Sequence, residues 1–407
     1  MSDITLIDSQ VKIHIMKDKK LLVNGAGRGN LGLIKAAKKL GAYTIVTGQA
    51  GPCLALADKT YPEVHPGHPD EVLKVAQIEQ VDGAAITCND MGLESVGRCC
   101  DVMHLQGLSE EVAKCAANKL LMKEKLVKAG VRTAKFKLIY SFEELQKASV
   151  EIEFPVIVKA TDLQGSRGIC IVREPNMLSA AYDEVMSLTH KDFCIVEEFI
   201  EGTEFGAQAF VYQGEVLFVL PHGDETIMCK TAVPVGHYVP YAMSDALAAD
   251  VDLQARKAIN ALGLNNCAVN IDFISRGDNA YIIELTGRGG ANGLTDITGE
   301  YFGINYYEMI AITALGGDPR TMFNKRFSTP KASVSKMLTS SKSGIAKSVE
   351  VPELPDTDIT MFIEAGSEVR AFTNSNDDIG QIVVSGKDLE ECNRKIEEAV
   401  KQINVEF

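Results

Sequence analysis

Asp272 and Glu284 carry the strongest chemical signal in the chain. The first lies in a strand-like run, Asn266 to Ile274, the second in another, Tyr281 to Thr286, with a Gly277-Asp278-Asn279 turn between them. If Ser275 pairs with Tyr281, Asp272 falls opposite Glu284 and Asn270 opposite Thr286, which makes one face of the hairpin polar. Directly opposed residues have β-carbons about 4.5–5.5 Å apart, and like charges so placed repel. A hard divalent cation offsets that repulsion, because Mg2+ takes one or two carboxylates and completes its octahedron with water and phosphate oxygens. The blander arrangements are two acids facing solvent on an edge hairpin, or one carboxyl kept protonated. A register slip of one residue would separate the acids onto opposite faces.

Other residues suit the phosphates that such a cation accompanies. Lys159 ends an apolar strand, Phe154-Pro155-Val156-Ile157-Val158, and is followed by a turn-rich loop, Gln164-Gly165-Ser166-Arg167-Gly168. Lys119 opens a basic amphipathic helix that runs through Lys128 and stops at Gly130. Each lysine alone reads as a solvated surface charge; together with a glycine loop they supply point charges and backbone donors for phosphate. Arg288, followed by Gly289-Gly290, offers a planar fork for a carboxylate or phosphate, or else a structural pairing with a neighbouring acid. His222 and His237 lie between the two hairpins, where either can orient an amine or take its proton. His65 and His68 sit in a Pro-Gly-rich turn and are assigned no role.

Three sections must position these residues. In the first, a short strand at Leu21-Leu22-Val23 leads through Gly27-Arg28-Gly29-Asn30-Leu31-Gly32 into a helix with Leu33, Ile34, Ala37 and Leu40 at helical spacing. A second strand, Tyr43 to Val46, completes a βαβ unit and predicts a parallel sheet. The glycine pattern matches a dinucleotide fingerprint, but that site also needs an acid about 20 residues on. The sequence there, Val46-Thr47-Gly48-Gln49, has none, so a structural turn is the better reading. The second section, from about Ala117, is richer in strands and contains Phe193 to Ile200 with Glu197 and Glu198, and a hairpin around Gln213-Gly214. The third begins after Pro319 with a lysine- and serine-rich stretch, Lys331 to Lys347, that reads as an exposed connection, and it closes with a helix from about Leu389 to Ile403.

The 407 residues are 46% hydrophobic and 24% charged, enough for two or three globular domains. With 55 acidic against 41 basic residues the chain carries a formal charge of -14, which argues against nucleic acid as a partner. No apolar run approaches a membrane span, and ten dispersed cysteines without CxxC fit a reducing compartment. A cytoplasmic location is expected.

Read together, these motifs resemble the ATP-grasp superfamily, on its carboxylate-amine ligase branch, and are similar to L-amino acid ligases and to carbamoyl-phosphate-synthase-like and biotin-carboxylase-like relatives. The resemblance implies an α/β architecture: a Rossmann-like pre-grasp domain at 1–113, an ATP-grasp domain of two α+β subdomains at 114–325, and a small C-terminal α+β domain at 326–407. It implies that Lys119, Lys159 and the loop Gly165, Ser166, Arg167 and Gly168 hold the phosphates of ATP. By the same resemblance, the chain at Glu197, Glu198 and Ile200 meets the adenine edge, with Ile282 also at the nucleotide, and Glu204 takes the ribose. Asp272 and Glu284 would bind one or two Mg2+, with Mn2+ as a substitute, and Thr286, which stands where many relatives carry an asparagine, would ligate the metal or hold a metal-bound water through its hydroxyl. Arg288 is the expected catalytic residue. The implied reaction activates a substrate carboxylate as an acylphosphate and couples it to an amine, an amino acid being the expected substrate, in a homodimer. Residues from about His222 to Tyr241, with Asn292 to Asp296, would form much of the substrate pocket. Three rivals remain: activation of bicarbonate or formate on the same fold, an NAD-dependent oxidoreductase using Gly27 to Gly32, and a degenerate nucleotide-binding regulator without turnover, against which intact Lys159, Asp272, Glu284 and Arg288 argue.

Overall fold

The computed structural model describes residues 16–163, 168–228, 232–374 and 377–407. Gly165, Ser166 and Arg167 lie outside them. The first section runs β1 (Lys20–Asn24), α1 (Leu31–Lys39), β2 (Tyr43–Thr47), β3 (Lys59–Tyr61), α2 (Pro69–Glu79), β4 (Gly83–Ala85) and α3 (Leu93–Met103). Its strands form a parallel sheet in the order β3-β2-β1-β4. Leu21, Leu22 and Val23 are fully buried, as the continuous apolar run of a strand covered on both faces requires. Pro69 at the first position of α2, with Asp70 and Glu71 behind it, suits a helix N-terminus.

The glycine loop between β1 and α1 is filled by the protein itself. Asn30 Nδ2 donates to the Gly25 carbonyl at 2.9 Å, and its Oδ1 accepts from the Thr87 N–H at 2.8 Å. A β-carbon on Gly29 would lie 2.4 Å from that of Cys88, and one on Gly32 would lie 2.3 Å from the Tyr307 ring. Those glycines therefore serve close packing of α1 against the rest of the chain. Gly32→Ala is expected to destabilise by about 1–3 kcal/mol through overpacking, seen as a lower Tm in thermal unfolding. An unchanged Tm would mean that Tyr307 yields freely.

Next come α4 (Lys119–Lys128) and a small antiparallel sheet of β5 (Phe136–Ile139), β6 (Val156–Lys159), β7 (Ile169–Val172) and β8 (Cys194–Glu198), in the order β5-β8-β6-β7. Leu145, Ala148 and Val185 from the two helices of this lobe pack on Val156, Val158 and Val196. Then follow β9 (Thr203–Tyr212), β10 (Glu215–Met228), β11 (Ala232–Val239), α5 (Asp245–Leu262), β12 (Cys267–Arg276), β13 (Asn279–Thr286), α6 (Leu294–Phe302), α7 (Tyr306–Ala314), β14 (Ala332–Thr339), β15 (Thr357–Met361), β16 (Asp378–Gly386) and α8 (Leu389–Gln402). Eight strands form one sheet in the order β13-β12-β9-β10-β11-β14-β16-β15.

The sequence between Lys331 and Lys347 corrects one expectation. Ala332 to Thr339 is not an exposed connection but an interior strand, β14, between β11 and β16. Ser333 and Ser335 are fully buried and donate to the carbonyls of Val384, at 2.7 Å, and Asn292, at 2.9 Å. Small hydroxyls satisfied inside the protein give a core strand a polar composition. Through β14, strands from the second and third sections share a single sheet. Among the described residues, no helix is long and apolar enough to cross a membrane.

Candidate active site

The hairpin of β12 and β13 brings Asp272 opposite Glu284 and Asn270 opposite Thr286. It arrives there by a different route from the one expected. Ser275 faces Ala280 rather than Tyr281, because Arg276 pairs with Asn279 and leaves a two-residue turn with Gly277 at φ +58°. A turn that tight would by itself set Asp272 against Ile283. A bulge restores the pairing: between Phe273↔Ile282 and Asp272↔Glu284, Ile283 is an extra residue without a partner.

The bulge also inverts the alternation along β13. Ile282 falls on the face opposite Glu284 and is 1% exposed among Val131, Phe273 and Leu285. It has no surface to offer a nucleotide, which corrects the expected contact. Ile283, half-buried, instead joins Ala134, Ile200 and Ile274 in a small cluster at the end of β8.

Asn118 caps α4, accepting from the N–H groups of Leu120 and Leu121, and this fixes Lys119 at the first helical position. Lys119 Nζ lies 2.8 Å from Glu284 Oε2. One turn on, Lys123 is buried and shares Glu197 with Lys159: Glu197 Oε1 is 2.8 Å from Lys159 Nζ and 3.3 Å from Lys123 Nζ. Burial pushes the Lys123 ammonium down to about 8, against the pull of Glu197. Two ammonium groups on one carboxylate leave an excess positive charge that suits an anion. Glu284, which desolvation alone would raise, is held below the usual carboxylate range chiefly by Lys119 and also by Lys159. Both lysines are thus within electrostatic reach of the acid pair. Asp272 goes the other way, raised by burial and by the charges of Glu284 and Asp224.

Sequence reasoning gave no role to Asp90, in the loop after β4. Cys88 N–H donates to the Gly289 carbonyl at 3.1 Å, which docks this loop on the turn after β13. Asp90 then receives Arg288 in a fork, Nε to Oδ1 at 2.9 Å and Nη2 to Oδ2 at 3.1 Å, and the Thr286 hydroxyl donates to Oδ1 at 2.7 Å. Despite its burial, Asp90 stays below the usual carboxylate range because of Arg288. Arg288 and Thr286 are therefore tied to one acid from another section of the chain. Position was the available signal: residues just past the C-terminal end of a parallel strand face the crevice of an open α/β sheet.

The remaining expected residues are spread around this centre. Gly168, at φ +64°, returns the loop to the sheet, its carbonyl accepting from Ala160 N–H at 2.9 Å. The Glu198 carboxylate is taken by Arg276 at 2.8 Å and its N–H by the Lys135 carbonyl. Glu204 is exposed on β9, opposite Ile274. Across the sheet, Glu284, Asp272, Gly206 and His222 form one row of directly paired positions. A β-carbon on Gly206 would lie 2.3 Å from the His222 ring, so the imidazole covers that glycine.

A cross-strand acid pair within reach of two lysines, on a hairpin facing a small antiparallel lobe, is the arrangement of an ATP-grasp site, and the chain belongs to the ATP-grasp family of ATP-dependent ligases. The ATP-grasp domain model matches residues 152–296, and L-amino acid ligase C-terminal domain 2 matches residues 336–407. The structure described as phosphoribosylglycinamide synthetase from Anaerococcus prevotii is 45% identical, with a TM-score of 0.87, over 96% of this chain and 99% of that one. L-amino acid ligase from Bacillus licheniformis shares the fold at 18% identity, with a TM-score of 0.77, over 96% of this chain and 99% of that one. Alanine--anticapsin ligase of Bacillus subtilis is 25% identical over 59% of this chain and 55% of its own length. The chain thus spans about half the length of that curated relative. Enzymes of this family use ATP and Mg2+.

Proposed function

We propose that the chain is a carboxylate-amine ligase acting on small molecules, with an amino acid as substrate. The observation that carries this reading is the direct pairing of Asp272 with Glu284 beside Lys119 and Lys159. The two carboxylates, with the Asn270 amide nitrogen donating to Asp272 Oδ1 at 3.1 Å, offer hard oxygen donors, which fit Mg2+, or Mn2+ in its place. The cation would neutralise charge on the phosphates of ATP. Cation binding at Glu284 and phosphate binding at Lys119 each replace one half of their present ion pair. Lys159, supported by Glu197 and Lys123, and the loop from Gly165 to Gly168 hold the phosphates. The backbone from Glu197 to Ile200 and the Glu204 carboxylate serve the nucleoside.

In the first step an oxygen of the substrate carboxylate bonds to the γ-phosphorus, the bond to the bridging oxygen breaks, and ADP leaves. The amine nitrogen then attacks the acyl carbon, loses a proton and expels phosphate. No covalent nucleophile from the protein is needed, since positioning and charge neutralisation dominate phosphoryl transfer. Arg288 presents its guanidinium beside the acid pair, oriented by Asp90, to hold the transferred phosphoryl oxygens. L-amino acid ligase and alanine--anticapsin ligase, by their names, join amino acids, and the C-terminal match supports the same substrate class.

The test is phosphate release across pairs of amino acids, with bicarbonate and formate included. Release that requires both an acid and an amine is expected. Release with bicarbonate or formate and no amino acid would turn the reading toward a carboxylase-like activity, and silence throughout would overturn it.

A further inference from the structure

Asp224 differs from the other acids of this cleft in its partners. Glu284 faces Lys119, Glu197 faces Lys159 and Lys123, and Asp90 faces Arg288. Asp272, hydrogen-bonded by Asn270, is the acid proposed for the metal. Asp224 pairs, among the described residues, with imidazoles alone: its Oδ1 lies 3.0 Å from His222 Nδ1 and 2.5 Å from His237 Nδ1. Both rings are nearly buried, while the Asp224 side chain remains 27% exposed. With Oδ1 engaged twice, Oδ2 is the oxygen left for a ligand.

Its charge state and position both bear on what that ligand is. Desolvation would raise the Asp224 carboxyl, but the two imidazole donors hold it well below its usual range, so it stays ionised. Burial keeps the His222 imidazole below its ordinary value, so that ring meets Asp224 as a neutral N–H donor rather than a cation. His222 reaches across Gly206, the strand neighbour of Asp272, and the Asp224 charge is felt at Asp272. The acid therefore lies on the same face of the sheet as the acid pair, on β10, two strands from Asp272 on β12. His222 Nε2 is buried over Gly206 without a hydrogen-bond partner and brings no donor to this corner.

We infer that Asp224 is the anchor for the ammonium group of the amine substrate, held in place by His222 and His237; this rests on the ligase reading. A charged multi-donor group is what an acceptor-only corner accommodates. The same three side chains offer ligand atoms within 4.8 Å of one another, as a metal site would. Ligands bound at about 2.0–2.2 Å in tetrahedral geometry stand about 3 Å or more apart, whereas His237 Nδ1 and Asp224 Oδ1, hydrogen-bonded at 2.5 Å, are closer than two ligands of one ion.

The test supplies ATP, Mg2+ and the protein amino acids as acids, with two probes as nucleophile. Glycinamide is largely cationic at neutral pH, and hydroxylamine is largely uncharged. For Asp224→Asn, the ratio of glycinamide to hydroxylamine coupling is expected to fall about tenfold or more, through a raised KM for glycinamide. Asp224→Glu, which restores the charge, is expected to recover much of that ratio. ATP binding and Tm, measured on each variant, establish that it is folded. An unchanged ratio in folded Asp224→Asn would overturn the anchor and leave the ligase reading standing. A wild-type protein that couples neither probe to any acid would overturn both.

Discussion

Glu284→Gln is expected to abolish ATP-dependent phosphate release, with kcat reduced about a thousandfold or more, while the protein stays folded. The substitution keeps the shape of the side chain but removes one of the two charges proposed for the cation. Metal neutralisation of phosphate charge is worth several kcal/mol in the transition state, and each factor of ten in rate is about 1.4 kcal/mol. It also leaves Lys119, now 2.8 Å from Glu284, without its acid. The fold should tolerate this, because the Glu284 side chain is 44% exposed and the hairpin is held by the apolar face of Phe273, Ile282 and Leu285. Initial rates across a magnesium series, with a thermal melt, check the point. Near-normal turnover at low magnesium would mean that the hairpin does not hold the cation.

Arg288→Ala is expected to lower both stability and turnover, and the two losses can be separated. Removing the guanidinium strands Asp90, which is mostly enclosed; breaking such a pair costs about 3 kcal/mol, at the low end for buried pairs because Asp90 keeps some exposure. Loss of one preorganised donor at the reacting group costs about 100- to 1000-fold in kcat. Adding Asp90→Asn to Arg288→Ala removes the stranded charge, so the double variant should regain Tm without regaining turnover. Recovery of both would reduce Arg288 to a structural partner of Asp90.

The acid pair was legible in the sequence because strand alternation and a Gly-Asp turn leave few registers, and one of them sets the two acids directly opposite each other. The compensating pair of a tighter turn and a bulge at Ile283 was not legible, since each cancels the other at Glu284. Its trace is Ile282, which two-residue alternation sets beside Glu284 and the bulge sends to the core. The frame of the first section was readable, since a βαβ pattern, helical spacing in α1 and a missing ribose acid pointed to a parallel sheet and a packing turn, but β3 and α3 went unread. β14 was hidden because Ser333 and Ser335 are polar by type yet satisfied by carbonyls of Val384 and Asn292. Asp90 and Asp224 were unassigned for different reasons. Arg288 reaches Asp90 only through the tertiary fold, and nothing in their spacing records that contact, whereas Asp224 lies two residues from His222 on β10 and opposite His237 on β11, a local pairing that was not read as a hairpin.

Asp272 and Glu284 are proposed to hold the nucleotide's cation jointly. Mn2+ binding followed by electron paramagnetic resonance in the presence of ADP measures this directly, without turnover or knowledge of the substrates. The wild-type protein is expected to take up Mn2+ with ADP, and Asp272→Asn combined with Glu284→Gln to weaken that uptake about tenfold or more. Equal uptake by the wild-type and doubly substituted proteins would contradict the account.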